Sequence, residues 1–295
     1  MNQGNHPGRK PPLTRREFIL KGGTALAAAS LAPAPLKAGS AHPTVIPPSS
    51  AKTIRIGVVG GGFGADFYWH EHPDCVVQAV SDLREDRRKR LMDVYRCSTA
   101  YDSLEELVKD RNVDAVALFT GAPDHARHSL ACLKAGKHVL SAVPAAVSLE
   151  QAEELLVGVK TTGLTYMMAE TSYYHQIVIS ARRFHKEGRF GEIFYSEAEY
   201  LHAGMEYSLW RDARGQPTWR HGLPPMLYPT HCTSYLVGVT GERLTEVTAT
   251  GWGDDDPINF PNAYDNPFWS EAAFFKTNQG HSFRVMVFWR GAFGG

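Results

Sequence analysis

Residues 54–67 read IRIGVVGGGFGADF, a run from an apolar strand directly into a cluster of glycines. Ile54–Val59 is apolar except at two positions, which is typical of a parallel strand covered on both faces. Residues 60–65 then fit G-x-G-x-x-A, where the first glycine allows a tight turn and the second lets backbone approach a pyrophosphate. A small third residue lets a following helix pack with its N-terminus toward the phosphates. The stretch therefore predicts a turn that binds a dinucleotide through Gly60, Gly62, Phe63 and Gly64.

A second strand supports this interpretation. Residues 76–81 (VVQAVS) are followed by Asp82, twenty residues after Gly62, where a carboxylate can accept hydrogen bonds from the adenosine ribose. Because this carboxylate would repel a 2′-phosphate, NAD is the predicted cofactor and NADP the less favoured one, although Arg84 weakens that preference. The alternative is a purely structural turn followed by a surface aspartate.

Apolar strands and helical segments continue to alternate up to residue 169. Residues 114–120, 137–141 and 164–169 read as strands, and helices are predicted before Gly136 and from Ser148 to about Lys160. This order predicts a doubly wound α/β domain of the Rossmann type over residues 52–169, with ligands at the carboxyl ends of its strands.

The second half of the chain has a different pattern. Residues 244–252, 269–277 and 281–289 alternate in polarity as antiparallel strands do, and a helix is predicted to end at Gly241. We therefore expect a second α/β domain over residues 170–295, built on an open and mainly antiparallel sheet. Because the sequence stops just after a strand, this domain is expected to be incomplete at its C-terminus.

The N-terminus is basic and unlike the rest. Residues 1–41 contain six Lys or Arg and one Glu, with Arg15 and Arg16 ahead of a short, weakly apolar, alanine-rich stretch. This pattern predicts a twin-arginine signal peptide, followed by a linker at 42–51 and export of the folded protein to the periplasm or beyond the cytoplasm. The apolar stretch is too short for a stable membrane span. The alternative is a disordered basic tail.

Charge and cysteine spacing exclude two classes of partner. The remainder of the chain holds 25 basic and 30 acidic residues, which argues against nucleic acid as the main partner. The four cysteines have neither metal-ligand nor CxxC spacing, so no metal site is expected.

The order of motifs is more specific than any one of them. GGGFGA at 60–65, SD at 81–82, TGAPDH at 120–125, AGKHVLSAVP at 135–144 and TYMMAETSYYH at 165–175 resemble the Gfo/Idh/MocA oxidoreductases. The resemblance, which runs from about residue 52 to the C-terminus, implies a nicotinamide-binding domain ahead of a substrate domain that often builds the oligomer interface. It also implies cofactor contacts at Thr120, Pro123 and His125, in the turn after the strand at 114–120.

The resemblance has one break. Where most relatives have Glu-Lys-Pro, with the lysine beside the nicotinamide, this chain has Ala142, Val143 and Pro144. Val143 and Pro144 are expected to line the cofactor, but valine cannot transfer a proton. The pattern is similar to redox-dependent glycosidases related to α-N-acetylgalactosaminidases, which oxidise a sugar carbon transiently and recycle NAD.

Candidate acids and bases follow the first domain. His231 matches the histidine of the family's Asp-x-x-x-His motif, although Leu227 stands at the Asp position, and it is the predicted general base, with a buried structural histidine as the alternative. Tyr174 and His175 are further catalytic candidates, and Glu170 is expected to bind the cofactor ribose or a sugar hydroxyl. The alternative for these three is a loop that packs on the next helix.

A long segment between strand 192–202 and His231 has few regular patterns, and such segments are usually functional. Its aromatic and basic side chains suit a carbohydrate, although they would also suit an oligomer contact. The predicted substrate residues are Tyr207, Trp210, Arg211, Trp219 and Arg220.

Three functions remain open at this point. The first is an exported NAD-dependent enzyme that acts on a sugar or sugar derivative, with redox-assisted glycoside cleavage as its reaction. The second is a conventional sugar or cyclitol dehydrogenase, and the third is a catalytically silent NAD-binding protein. A small carbohydrate is the predicted substrate, and the complete protein is expected to form a homo-oligomer.

Overall fold

The computed structural model describes residues 53–202, 204–253 and 256–291. The predicted signal peptide at 1–41 and the linker at 42–51 lie outside these residues. Helices and strands are numbered in chain order below.

The first sheet has six parallel strands in the order β3-β2-β1-β4-β5-β6. Its order reverses between β1 and β4, and ligands of such sheets bind in the crevice at this reversal. The predicted doubly wound Rossmann sheet is confirmed. The strands are β1 Ile54–Val59, β2 Cys75–Ser81, β3 Ala100–Tyr101, β4 Ala115–Leu118, β5 His138–Ser141 and β6 Tyr166–Met168.

Helices connect most of these strands, and their ends follow local sequence signals. Ser103 and Ser148 cap the N-termini of two helices, because the Oγ atom of each accepts a hydrogen bond from a backbone N–H of the first turn. Gly163 ends the second of these helices with a positive φ of 65°. The helices of this region are α1 Glu85–Tyr95, α2 Leu104–Leu107, α3 His125–Lys134 and α4 Leu149–Thr162.

The helix expected after the glycine turn is absent from the described residues between β1 and β2. Two short 3₁₀ turns, Phe63–Asp66 and Trp69–Glu71, take its place. Phe67 stacks on Trp69 at a centroid distance of 5.2 Å and lies 4.7 Å from Phe119, which follows β4. The aromatic side chains of this segment pack on Phe119, and the prediction of a helix here was wrong.

The second sheet has four strands in the order β7-β10-β9-β8, with β7 and β10 parallel and the other two pairs antiparallel. The expected open, mainly antiparallel sheet is confirmed. Its strands are β7 Tyr195–Leu201, β8 Leu244–Trp252, β9 Ser270–Thr277 and β10 Ser282–Phe288, and its helices are α5 Gln176–Lys186, α6 Met205–Ser208 and α7 Thr230–Thr240.

Side chains on both sides of the predicted domain boundary, between residues 169 and 170, pack together in one core. The boundary itself stays a prediction. Val143, which follows β5, is buried in the core beneath the second sheet, and Met168 of β6 packs against the same core. The carboxyl ends of the first sheet therefore lie against the second core.

Two searches of the described residues were negative. None of their helices is long and apolar enough to cross a membrane. No group of three or more His, Cys, Asp or Glu side chains among them could hold a metal ion.

Candidate functional site

The glycine turn is fixed to the end of β2. The Gly60 N–H donates to the Ser81 carbonyl over 2.9 Å, and the Gly61 N–H donates to Asp82 Oδ2 over 2.7 Å. The other carboxylate oxygen, Oδ1, accepts the Arg84 N–H over 2.8 Å. Each carboxylate oxygen has a second lone pair, so Asp82 keeps acceptor capacity for a ribose hydroxyl.

The glycines of the turn serve different purposes. Gly60 has a φ of 101°, and a Cβ there would lie 2.3 Å from the Phe119 carbonyl oxygen, so close chain approach excludes a side chain. A Cβ on Gly64 would lie 2.8 Å from the Phe119 ring. A Cβ on Gly62 would meet nothing closer than the Arg87 guanidinium at 3.9 Å. The protein thus leaves space beside Gly62, where a dinucleotide pyrophosphate approaches in this type of turn, and the residues present fit such a cofactor. Phe63 is 54% exposed at the same turn.

The turn after β4 is tied to the segment after β5 by a buried histidine. His125 Nδ1 lies 2.7 Å from the Pro144 carbonyl oxygen, and Nε2 lies 3.0 Å from the Thr120 carbonyl oxygen. Burial lowers the pKa of His125 despite these two contacts. Both ring nitrogens lie against backbone carbonyls, so His125 links the two segments, and its contact with the cofactor stays a prediction. Pro123 lies in the 3₁₀ turn between Thr120 and His125.

Val143 is 9% exposed and packs into the core beneath the second sheet. The position where the resemblance places a lysine is therefore apolar and enclosed. Any proton transfer at this site has to involve another side chain.

A carboxylate–histidine pair lies where the second domain begins. His231, the second residue of α7, places Nδ1 2.8 Å from Glu170 Oε1 and 3.2 Å from Ser172 Oγ. Glu170 Oε1 also accepts the Ser172 N–H over 2.8 Å. Burial raises the pKa of Glu170, but the hydrogen bonds from His231 and Ser172 outweigh it and the net pKa is lowered. Glu170 is 4% exposed and lies against His231, and its predicted contact with the cofactor or a sugar hydroxyl stays a prediction.

The ionised Glu170 determines the tautomer of His231. A carboxylate only accepts hydrogen bonds, so Nδ1 carries the proton and Nε2 carries the lone pair. The His231 side chain is 13% exposed, and its ring is enclosed by Tyr200 at a centroid distance of 4.5 Å and Tyr228 at 5.2 Å. Nε2 of this oriented ring is suited to accept a proton from a substrate hydroxyl.

Arg220 brings positive charge to the same cluster. Its guanidinium stacks 4.2 Å above the Trp219 ring. Burial raises the pKa of Tyr228, and the neighbouring Arg220 partly offsets this. Trp219 in turn packs against the turn after β4, since a Cβ on Gly121 would lie 3.0 Å from its ring. Trp219 therefore contacts the turn after β4, and Arg220 is a neighbour of Tyr228 in the cluster around His231.

Other predicted substrate residues have different positions. Trp210 is 1% exposed and stacks on Trp269 at 5.1 Å with an interplanar angle of 21°, so it belongs to the core. Arg211 is exposed, and its side chain donates to the Gly215 carbonyl. Tyr207 lies in α6, and its side chain is outside the described set.

Tyr174 and His175 are exposed at the start of α5. Tyr174 is 54% exposed with its ring against Tyr173, and the His175 ring lies 6.5 Å from that of Tyr235. The structure pairs His231 with Glu170 rather than with either of them.

Sequence reasoning missed Ser172, Tyr200 and Tyr228. Tyr228 precedes His231 by three residues, a spacing that gave a local signal. Tyr200 lies on β7, 31 positions from His231, and the sequence held no signal for its contact because only sheet packing brings the two rings together.

Comparison with known proteins gives one family match and several relatives. Residues 54–170 match the model of the Gfo/Idh/MocA oxidoreductases, described as an oxidoreductase family with an NAD-binding Rossmann fold. The predicted resemblance and the NAD-binding character of the first domain are thereby confirmed.

Two curated relatives are glycosyl hydrolase family 109 proteins. One, from Streptomyces coelicolor, is 24% identical over 77% of this chain and 52% of its own length. Another, from Shewanella amazonensis, is 28% identical over 74% of this chain and 53% of its own length. The chain thus spans about half the length of these relatives. A myo-inositol 2-dehydrogenase of Thermotoga maritima is 32% identical over 35% of this chain and 32% of its own length.

Solved structures share the two-domain fold. The scyllo-inositol dehydrogenase of Lactobacillus casei aligns with a TM-score of 0.68 and 17% identity, over 82% of this chain and 70% of that one. The myo-inositol 2-dehydrogenase of Lactobacillus plantarum gives a TM-score of 0.68 and 16% identity, over 82% of this chain and 72% of that one.

Proposed function

Because residues 54–170 belong to the Gfo/Idh/MocA oxidoreductase family, we propose that this chain binds NAD and acts on a hydroxyl group of a sugar or sugar derivative. The glycine turn and Asp82 hold the dinucleotide. His231 is the base that accepts the hydroxyl proton, and Glu170 orients it. The activity is that of an NAD-dependent oxidoreductase.

The observation that carries the proposal is the partly buried hydrogen bond of 2.8 Å between Glu170 Oε1 and His231 Nδ1. Glu170 follows β6 at the carboxyl ends of the first sheet, where ligands of this fold bind. His231 is bonded to this glutamate, which supports a role for it at that edge. The His231 side chain is 13% exposed, and two tyrosine rings enclose it and hold it in one orientation.

Bound NAD would supply the hydride acceptor. His231 removes the proton from the substrate hydroxyl, and Glu170 stabilises the imidazolium that results. Arg220 and Trp219 cover the substrate between the two domains, where the guanidinium can donate to oxygens and the indole face can stack on apolar C–H groups.

Within this function we favour redox-assisted cleavage of a glycoside, in which a sugar carbon loses a hydride, the leaving group is eliminated, water adds, and the same hydride returns to the sugar carbon. Two observations support it: the apolar, enclosed Val143 at the position of the resemblance's lysine, and the relatives named glycosyl hydrolase family 109. The second candidate is net dehydrogenation of a free sugar or cyclitol, which the relative named myo-inositol 2-dehydrogenase favours.

Localisation and assembly are part of the proposal. Arg15 and Arg16 in the basic N-terminal segment support export by the twin-arginine route, which fractionation of cells expressing the full chain would test. Exposed apolar side chains on the second sheet, Val247 at 60% and Phe274 at 56%, support a homo-oligomer, which light scattering would test.

The first experiment is to denature the purified full chain and measure released nicotinamide dinucleotide by absorbance and mass. Near-stoichiometric NAD supports the recycling reaction and directs the screen to glycosides. A chain purified empty that binds added NAD supports net dehydrogenation and a screen of free sugars. A chain that neither retains nor binds NAD refutes the proposed function.

Matched histidine variants then test the site. We expect His231→Ala to lose turnover while keeping its NAD. His175→Ala, which alters an exposed histidine, is expected to keep both. If turnover survives His231→Ala but is lost in His175→Ala, the base is His175 and the proposed role of His231 is wrong.

A further inference from the structure

Residues 84–90, which follow Asp82, contain five basic side chains, and four of them have a carboxylate partner. Among the described residues, Arg87 is the exception, since no ion pair of its guanidinium is found there. The paired residues are Arg84 with Asp86 at 2.7 Å, Arg88 with Asp102 at 3.0 Å, Lys89 with Glu85 at 2.7 Å and Arg90 with Asp66 at 3.0 Å.

The position of Arg87 is fixed by backbone packing. A Cβ on Gly61 would lie 2.5 Å from the Arg87 carbonyl oxygen and 2.8 Å from its Cβ, so the first turn of α1 packs directly on the glycine turn. The Arg87 guanidinium then lies beside Gly62, with Nη1 3.9 Å and Cζ 4.0 Å from the position that a Cβ would occupy. Gly62 is the glycine whose open side suits the pyrophosphate.

The glycine turn lacks its usual source of positive potential. In such turns the N-terminus of the following α-helix faces the pyrophosphate and contributes a partial positive charge. Here the turn leads into the 3₁₀ turn Phe63–Asp66, which is four residues long. A guanidinium can supply the missing charge, and it can bind two phosphate oxygens at once.

We propose that Arg87 binds the pyrophosphate of the dinucleotide, in place of the helix N-terminus that this chain lacks after β1. The inference rests on the proposed function, because it needs a dinucleotide at the glycine turn. It adds a binding residue that lies outside the glycine motif, in the first turn of α1.

Calorimetric titration of the full chain with ADP and with adenosine tests the inference, because the two ligands differ in the pyrophosphate. We expect Arg87→Gln to weaken ADP binding about tenfold, as loss of a charge-assisted hydrogen bond would. Adenosine affinity should change less than twofold, measured by ligand-observed NMR where it is weak. Arg87→Lys, which keeps the charge, should restore most of the ADP affinity.

The matched control is Arg111→Gln, which removes an exposed arginine before β4, at the opposite end of the sheet. It should leave both affinities unchanged. Because Arg87 is exposed, its variants should keep the thermal midpoint of the unmodified chain.

Each other outcome overturns the inference in a recognisable way. Equal ADP affinity in Arg87→Gln refutes it while leaving the proposed function intact. An equal loss for adenosine would assign Arg87 to the adenosine part of the dinucleotide. If the unmodified chain binds neither NAD nor ADP, the proposed function fails first.

Discussion

Replacing Trp210 by alanine separates a core residue from a sugar-binding one. Trp210 is 1% exposed, stacks on Trp269 at 5.1 Å and meets the His221 ring edge-on at 5.5 Å. Arg211 is the next residue in the chain, yet it is exposed. The structure therefore predicts opposite effects for two adjacent positions that the sequence placed in one substrate site.

The size of the effect follows from burial. A tryptophan side chain buries about 200 Å², which at about 25 cal/mol per Å² is worth about 5 kcal/mol. The indole Nε1 of Trp210 is buried without a hydrogen-bond partner among the described residues, so its removal recovers about 1 to 2 kcal/mol. The net loss for Trp210→Ala is then about 3 to 4 kcal/mol, within the usual range for such truncations.

Urea unfolding followed by far-ultraviolet circular dichroism measures this loss without relying on tryptophan emission. With a slope of about 3 kcal/mol per molar urea, Trp210→Ala should lower the midpoint by about 1 M. Arg211→Ala should change the free energy of unfolding by less than about 0.5 kcal/mol. A Trp210→Ala chain that unfolds at the original urea concentration but loses affinity for its sugar would refute this reasoning.

Three further predictions use other parts of the site. Gly60→Ala should destabilise the fold because a Cβ there meets a carbonyl oxygen at 2.3 Å, whereas Gly62→Ala should keep its melting temperature and lose NAD affinity in a titration. Glu170→Gln should lower turnover about 10- to 100-fold because the amide no longer stabilises a charged His231, with retention of NAD as the control; unchanged turnover would exclude the positioning role. Burial raises the pKa of Glu271, so the folded chain holds that proton more tightly than the unfolded chain and loses stability as pH rises through the unfolded value of about 4.3. Glu271→Gln should therefore gain stability relative to the original chain at pH 7 compared with pH 4, and equal urea midpoint differences at the two pH values would contradict this.

Local pattern was enough for much of the fold. The apolar run at 54–59, the glycine turn and the strand at 244–252 have the predicted bounds, and the helix that carries His231 ends at Gly241 as expected. These features depend on residues within a few positions of each other: alternating polarity, a serine cap, or a glycine with positive φ. Asp82 was likewise placed correctly at the end of its strand by spacing alone.

Only the tertiary structure decided what the candidate side chains contact. Glu170 and His231 are 61 residues apart in sequence, and only the packed structure shows the partly buried hydrogen bond between them. Trp210 and Trp219 look alike in a list of aromatic residues, yet one is enclosed in a core and the other covers the turn after β4. After the glycine turn, Phe67 packs on Phe119, which follows β4, and a 3₁₀ turn is found where a helix was predicted. Secondary structure follows from interactions between near neighbours, whereas burial and hydrogen-bond partners depend on which distant segments the packed core brings together.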